Sequence, residues 1–350
     1  MRNQSSRKQI DYLFLTNSLS GGGAERAINI AVNEIAKRNS SVGLLVVNDG
    51  PQDLYAPKVP TFEVKRRWQG GAFSLLTAYV KTYYLVIRIR PKVLILNCDL
   101  PEFLGAFLFG PWQLVAVEHA PNPWHTRVGL GLIVRKILSV RKTLWVTVSD
   151  HLEIWKINAK SEHIPNAISE FSESVLDQHH VNDSVTRLVF IGRLAKVQKQ
   201  PQWMLEISRL TKLPLIFIGD GVYRAELEKE SKNNQTPIDF LGYSTNPWNE
   251  IRPGDILVIP SAWEGDGLVV IEAISHGIPI LLNKVDDLTR FQLPSVHYCS
   301  STEEFAERIE EYKNNLSKLV VETFIAESLI ASRNPELVAR QWINFLAKVK

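Results

Sequence analysis

The sequence predicts an α/β protein built from two doubly wound domains, each a parallel sheet with helices on both faces. Three observations point there. The chain has 350 residues, more than one core of ordinary size takes up. Both halves open with the same strand–loop–helix–strand plan. The residues able to do chemistry fall just after strand-like runs, where ligands sit in such sheets.

The elements follow in order. DYLFLTN (11–17) reads as a buried strand, and SLSGGGAER leads from it into a helix. In that helix Ala27, Ile28, Ala31, Val32 and Ile35 recur at helical spacing, and VGLLVVN (42–48) is the next strand. A long helix over Ser74 to Arg90 precedes the strands KVLILNC, LVAVEH and LWVTVSD. The second half starts with the strand TRLVFIG and the polar loop RLAKVQKQPQ. A helix carrying Met204, Leu205, Ile207 and Leu210 comes next, then the strands LPLIFIGDG, DILVIPS and IPILLN. Strand periodicity stops at IPNAISEF, and a polar stretch follows from Ser172 to Ser184. This places one domain over 1–165 and a second over 166–333. The segment 334–350 reads as an amphipathic helix, capped at Asn334 with Pro335 in its first turn, that returns to the first domain. The two domains are expected to face each other across a cleft.

Composition narrows the class. Hydrophobic residues at 45 % and charged residues at 22 % describe a globular chain. Cys98 and Cys299 lack metal-ligand spacing, which points to a reducing compartment. The run from Tyr12 to Leu15 is too short for a signal segment. The tract from Phe103 to Val117 is broken by Gly105, Gly110, Pro111 and Gln113, short of the roughly 18–20 residues a membrane span needs. A cytoplasmic protein is expected. The net charge of +3 divides unevenly: residues 1–170 hold 21 Lys and Arg against 13 Asp and Glu, a balance of +8, and the remainder holds 19 against 24, a balance of −5. The basic half suits phosphates, an anionic membrane surface or nucleic acid.

Each candidate site residue has a functional reading and a bland one. Gly21, Gly22 and Gly23 open a helix after the first strand, where backbone N–H groups and the helix end favour a phosphate. The same glycines also serve a plain turn, and they do not complete G-x-G-x-x-G. Arg193 and Lys199 follow LVFIG and could neutralise a diphosphate, or simply be solvated. Gly219-Asp220-Gly221 is a tight turn that would also let a ligand approach the backbone. Glu118 and His119 end the strand LVAV; the imidazole there could bond a sugar hydroxyl, act as a base, or be structural. Glu264 and Glu272 flank the turn Gly265-Asp266-Gly267, which starts a helix near Gly267. Paired carboxylates suit vicinal hydroxyls, and an acid near a helix N-terminus is favourable without any ligand.

Taken together, GGGAER, VEHAP, TVSD, IPNAISEF, GRLAKVQKQP, IFIGDGVYRAEL, FLGY and PSAWEGDGLVVIEAISHGIPIL resemble the retaining glycosyltransferases of family 4. The landmarks run in family order over residues 20 to 280, and the last is an E-x7-E motif. The resemblance implies a GT-B fold of two Rossmann-like domains and a nucleotide-diphosphate sugar as donor, held mainly by the second domain. The acceptor, a glycan or lipid-linked sugar of the surface polysaccharide or lipopolysaccharide type, would lie on the first. It implies that Glu272 binds the donor ribose and Glu264 the transferred sugar. Arg193 and Lys199 would grip the diphosphate with backbone N–H groups at Gly267, Leu268 and Gly22 or Gly23. His119 would sit beside the sugar and Gly219 against the donor. No metal and no other cofactor is expected, and attack from the front face retains the anomeric configuration.

Three departures stand out. Asp266 replaces an aromatic residue, and an anion there should point to the sugar or to a cation such as Arg193. The loop before Lys199 is one residue longer, and Asn166-Ala167-Ile168-Ser169 replaces Asn-Gly-Val-Asp. On the acceptor side, KRRW (Lys65 to Trp68) precedes a helix with Phe73, Leu76, Tyr79, Val80, Tyr83 and Tyr84, and RIRPK closes it. That mixture suits either a core helix flanked by solvated charges or peripheral contact with an anionic membrane on the inner face of the cell. Competing readings are a nucleotide-sugar epimerase, for which His119 lacks an acid/base partner, and a non-catalytic nucleotide-sugar-binding subunit. Nucleic acid is not expected as a partner, since no recognised module is present.

Overall fold

The computed structural model describes residues 9–19, 22–38, 41–50, 57–67, 71–168 and 184–349. Gly21, Trp68, Ser169 and most of the polar stretch beyond it lie outside the described residues. Contacts divide the chain into two compact units: residues up to 168 together with those from Arg333, and residues 184–332.

The first unit is a seven-stranded parallel sheet. Its strands are β1 (Tyr12–Thr16), β2 (Val42–Asn48), β3 (Thr61–Arg66), β4 (Val93–Asn97), β5 (Gln113–Glu118), β6 (Leu144–Thr147) and β7 (Ser161–His163). They lie in the order β3-β2-β1-β4-β5-β6-β7. Side chains alternate across a strand, and the inner strands are buried on both faces, so they are largely apolar. Phe14, Leu44, Val46 and Ile95 point to one face and meet Ile28, Val32 and Ile35 of α1 (Gly23–Arg38). Leu13, Leu15, Leu45, Leu94 and Leu96 point to the other face. There they meet α2 (Gly71–Ile89), α3 (Asp99–Phe107) and α4 (Val128–Val140) through Ala78, Val86, Leu104, Val134 and Leu138.

The terminal helix, Pro335–Lys348, packs on the α1 side: Trp342 meets the Phe14 ring edge-on at 5.4 Å. The Asn334 side chain caps it by accepting from the N–H groups of Glu336 and Leu337. At the base of this helix Ile168 N–H donates to Arg333 O, and Arg333 donates to Asn166 O.

The second unit is a six-stranded parallel sheet: β8 (Arg187–Ile191), β9 (Leu215–Ile218), β10 (Ile238–Gly242), β11 (Asp255–Ile259), β12 (Ile280–Asn283) and β13 (Tyr298–Cys299), in the order β10-β9-β8-β11-β12-β13. Its helices are α5 (Gln202–Thr211), α6 (Arg224–Ser231), α7 (Leu268–Ser275), α8 (Asp286–Thr289), α9 (Thr302–Glu311) and α10 (Thr323–Ala331). One core joins Phe190, Phe217, Val258 and Leu281 to Met204, Ile207, Phe305 and Ile309. Arg187 ties β8 to β11 with two bonds to Asp255, at 2.9 and 2.6 Å.

Both sheets change direction beside their first strand, between β1 and β4 and between β8 and β11. In open α/β sheets ligands bind at the carboxyl ends of the strands at this switch point. The strands read from sequence are all present. Four were not read: β3, β7, β10 and β13 are the edge strands of the two sheets, half-polar in β3 and β10 and only three and two residues long in β7 and β13. The segment read only as a basic lead into the long helix is in part strand β3, and α2 begins at Gly71, ahead of Ser74.

Replacing Asn334 by Ala removes the cap of the terminal helix and should cost about 0.5–2 kcal/mol of stability. Urea unfolding of the two proteins measures it.

Candidate functional site

At the switch point of the first unit three strand ends are linked by side chains. Asn97, the last residue of β4, is fully buried and donates to Thr16 Oγ1, at the end of β1, over 3.1 Å. His119, just past β5, meets Asn97 Oδ1 through Nε2 at 2.5 Å. Burial pushes the His119 imidazole down to about 4, so it is neutral at pH 7. With Asn97 Oδ1 as acceptor, Nε2 carries the ring proton and Nδ1 keeps its lone pair. Cys98, next to Asn97, has φ 78° and ψ 176°, a backbone region that favours glycine. Strain of this kind persists where the surroundings dictate it, and here it turns the chain sharply from β4 into α3.

Beneath His119 lies a buried charge network. Arg135 of α4 donates to Glu118 Oε2 at 2.6 Å and to Glu102 Oε1 of α3 at 2.8 Å. All three side chains are 1 % exposed. Trp124 Nε1 donates to Glu102 Oε2, the Trp155 N–H donates to Glu118 Oε2, and the guanidinium lies 4.6 Å from the Trp145 ring centre. One guanidinium cannot balance two buried carboxylates. Burial pushes the Glu102 carboxyl up to about 8, with the neighbouring Glu118 adding to it against the pull of Arg135. Glu102 therefore holds a proton at neutral pH, and Glu118 pairs with Arg135. The network anchors the residue before His119 from two helices.

The glycine loop of this unit carries its own acid. A Cβ on Gly22 would fall 1.9 Å from Glu25 Oε2, so the Glu25 carboxylate lies across the loop. Gly23 begins α1, and Gly22 O accepts from Arg26 N–H. An acid at a helix N-terminus is favourable, and an incoming phosphate would have to displace it.

In the second unit three strand-end loops are hydrogen-bonded together. Gly192 N–H donates to Ile218 O, Leu194 N–H to Asp220 O, and Ala262 N–H to Gln198 O. Gly219 has φ 148°, and a Cβ there would meet Gly192 O at 1.9 Å, so only glycine fits where β8 and β9 end. Arg193 is exposed and has no acidic partner among the described residues. Lys199 does have one: its Nζ lies 2.5 Å from Glu264 Oε1, and both side chains are largely buried. Glu264 N–H in turn donates to Asp287 Oδ2 at 3.1 Å.

Gly267, at φ 61° and ψ 39°, turns the chain into α7, which has no side-chain cap. Leu268 is its first residue, and the first N–H groups of a helix have no intrahelical partner. Glu272, one turn further on, is buried and accepts from the Trp248 indole at 3.3 Å. The Trp248 ring leans on His276, with ring centres 5.0 Å apart. The cation beside Asp266 is Arg290 rather than Arg193. Arg290 donates to Asp266 O at 2.8 Å and lies 3.6 Å from its Oδ1. Asp266 is 5 % exposed, and a carboxylate buried that far needs a local cation, which the end of α8 supplies.

Sequence reasoning missed Thr16, Asn97, Trp248, Asp287 and Arg290. Asn97 carried a signal, as the last residue of a strand at the switch point. Trp248, Asp287 and Arg290 carried none, because they arrive from elements far off in sequence. Among the described residues no group of three His, Cys, Asp or Glu side chains could hold a metal ion. No helix among them is long and apolar enough to cross a membrane.

Stability should fall as pH rises from about 4.5 to about 8, because over that window the folded protein holds the Glu102 proton and the unfolded chain does not. Glu102→Gln should flatten this dependence while giving up one hydrogen bond, since an amide nitrogen cannot accept from Trp124. Thermal melts across that pH range check both outcomes.

Residues 185–315 match the family described as Glycosyl transferases group 1. An uncharacterized glycosyltransferase of Methanocaldococcus jannaschii is 29 % identical over 135 residues, which is 35 % of this chain and 33 % of that protein. The UDP-Gal:alpha-D-GlcNAc-diphosphoundecaprenol alpha-1,3-galactosyltransferase of Escherichia coli is 26 % identical over 106 residues, 27 % of each chain. The match spans about a third of the length of the first such relatives. Anabaena HepE, crystallised with UDP and glucose, superposes with a TM-score of 0.74 at 18 % identity, covering 97 % of this chain and 100 % of its own. The chain thus has the GT-B fold, and residues 185–315 of its second unit match the Glycosyl transferases group 1 model.

Proposed function

We propose that the protein is a retaining glycosyltransferase that moves a sugar from a nucleotide-diphosphate sugar to a glycan or lipid-linked acceptor in surface polysaccharide or lipopolysaccharide synthesis. The reading rests on the mouth of β8 and β11. There Arg193, a cation without an acidic partner among the described residues, stands with a glycine-capped helix start at Gly267 and Leu268, in loops that are hydrogen-bonded together. That combination takes up the charge of a diphosphate both when it is bound and when it departs. HepE, with the same fold, was crystallised with UDP and with UDP-glucose, and the E. coli relative is named for a diphosphoundecaprenol-linked acceptor.

Glu272, steadied by the Trp248 indole, binds the ribose hydroxyls of the donor. Glu264 takes hydroxyls of the transferred sugar, and Lys199 bridges it to the phosphates. His119, neutral and fixed by Asn97, accepts from a sugar hydroxyl through Nδ1. The leaving phosphate takes the proton of the incoming acceptor hydroxyl as the new bond forms on the same face, which retains configuration. Arg193, Lys199 and the α7 N–H groups meet the charge on the leaving diphosphate without a resident metal. The reaction takes place at the inner face of the membrane when the acceptor is lipid-linked.

Calorimetric titration with UDP and other nucleoside diphosphates tests the donor half. Glu272→Ala should weaken binding by about 1.5–3 kcal/mol, the range for hydrogen bonds to a charged group; unchanged affinity would sink the ribose role. Arg193→Ala should lower kcat more than it raises the donor Kd if the guanidinium acts on the leaving group. Equal losses in the two would leave it a ground-state binder only.

A further inference from the structure

The α2 helix is amphipathic in an unusual sense. Its inner face buries Ala78, Thr82 and Val86, while its outer face exposes Phe73, Leu76, Val80, Tyr84 and Ile87 at spacings of three and four. An outer face is ordinarily charged; here Phe73 is 77 % and Tyr84 60 % exposed. The apolar surface continues off the helix. Tyr79 and Tyr83 donate to the carbonyls of Phe107 and Phe109, and Arg141, just past α4, donates to Ala106 and Leu108 and lies 4.8 Å from the centre of the Phe109 ring. Phe109 and Val140 are themselves 62 % and 76 % exposed.

The charge around this face is mostly basic. No Asp or Glu occurs between Glu63 and Asp99, a stretch holding seven Lys and Arg, and none occurs between Glu118 and Asp150. Lys65 and Lys92 pair with Glu63 and Asp11, but Arg67, Lys81, Arg88 and Arg90 have no acidic partner among the described residues. Beside the first turn of α2 lies a cavity of about 340 Å³ with Lys65, Arg66, Arg67 and Lys81 in its wall, next to Phe73 and Ser74.

We propose that this face is a docking surface for an anionic phospholipid bilayer, with the apolar stripe entering the acyl boundary and the basic cavity taking a headgroup phosphate. An interfacial helix binds by this pairing of apolar burial with attraction to anionic lipid. A second copy of the chain fits worse, because a two-fold contact would lay the same predominantly basic surface against itself. The proposal deepens the lipid-linked acceptor reading and rests on it for its purpose only.

Co-sedimentation of the full chain with vesicles of phosphatidylglycerol and phosphatidylcholine, against phosphatidylcholine alone, tests it without sugar transfer. Binding to the mixed vesicles that fades with salt is expected. The pairs Lys81→Glu with Arg88→Glu and Val80→Ser with Tyr84→Ser should each weaken it by about tenfold or more. UDP titration of the same variants reports on folding and on the donor site, so loss of UDP binding with vesicle binding intact would strike the proposed function and spare the docking surface. The proposal falls if the unaltered chain ignores anionic vesicles at low salt or if both variants bind as it does. It falls equally if the variants instead convert a dimer to a monomer.

Discussion

Everything in the two units follows from strands that all run the same way. In a parallel sheet each strand ends at one edge, and each needs a crossover helix to return. Helices therefore cover both faces, the strands become apolar throughout, and polar chemistry is driven to the strand ends. The order reverses beside β1 and beside β8, so at those two points neighbouring loops leave in opposite directions and open a space. Thr16, Asn97 and His119 mark one such opening, and Arg193, Lys199 and Glu264 stand at the other.

At each opening the charges are held by partners from the elements behind them. Glu118 is anchored by Arg135, Glu264 by Lys199, Asp266 by Arg290 and Glu272 by Trp248. A buried carboxylate left alone would protonate or turn outward. Glu102 illustrates this, since two acids share one guanidinium and the excess is settled by a proton. The partners thus fix the direction in which each carboxylate or imidazole points, which is what a site needs before a ligand arrives. Arg193 has no such partner among the described residues and is exposed at the end of β8.

The sequence made the alternation of strands and helices legible, and with it the loops where chemistry collects. Leu13 to Thr16, Leu94 to Asn97 and Ile256 to Ile259 are apolar runs of strand length, and a strand covered on both faces has no other appearance. The edge strands escaped because β3 and β10 alternate with charge, and β13 has only two residues. Placement was legible where it depends on a residue's own strand end, as for Arg193, Gly219 and His119. It was not legible where the role depends on packing between distant segments. Lys199 read as a free cation and is paired with a residue 65 positions away. Asp266 read as pointing to the sugar or to a cation such as Arg193, and the cation that meets it is Arg290, from the segment that follows β12. Arg135, next to Lys136 in a largely apolar helix, carried no signal in the sequence and is among the largest fully buried side chains.

The charge asymmetry between the halves suggests two domains with different partners, the basic one suited to phosphates, an anionic membrane surface or nucleic acid. Lys81 and Arg88 of the first half lie on α2 and Arg90 just past it, and Arg67 follows the edge strand β3, while its glycine loop holds an acid, Glu25. In the second half many of the acids sit along α9, where Glu303, Glu304, Glu307, Glu310 and Glu311 crowd one short solvated helix. That charge is screened within about a Debye length at physiological salt. A diphosphate at the mouth of β8 and β11 would respond first to what lies within a few ångströms: one unpaired guanidinium, one shared ammonium and a helix start. Net charge thus describes the surface a domain offers to large partners, and the local arrangement of a handful of groups decides what it binds in its loops.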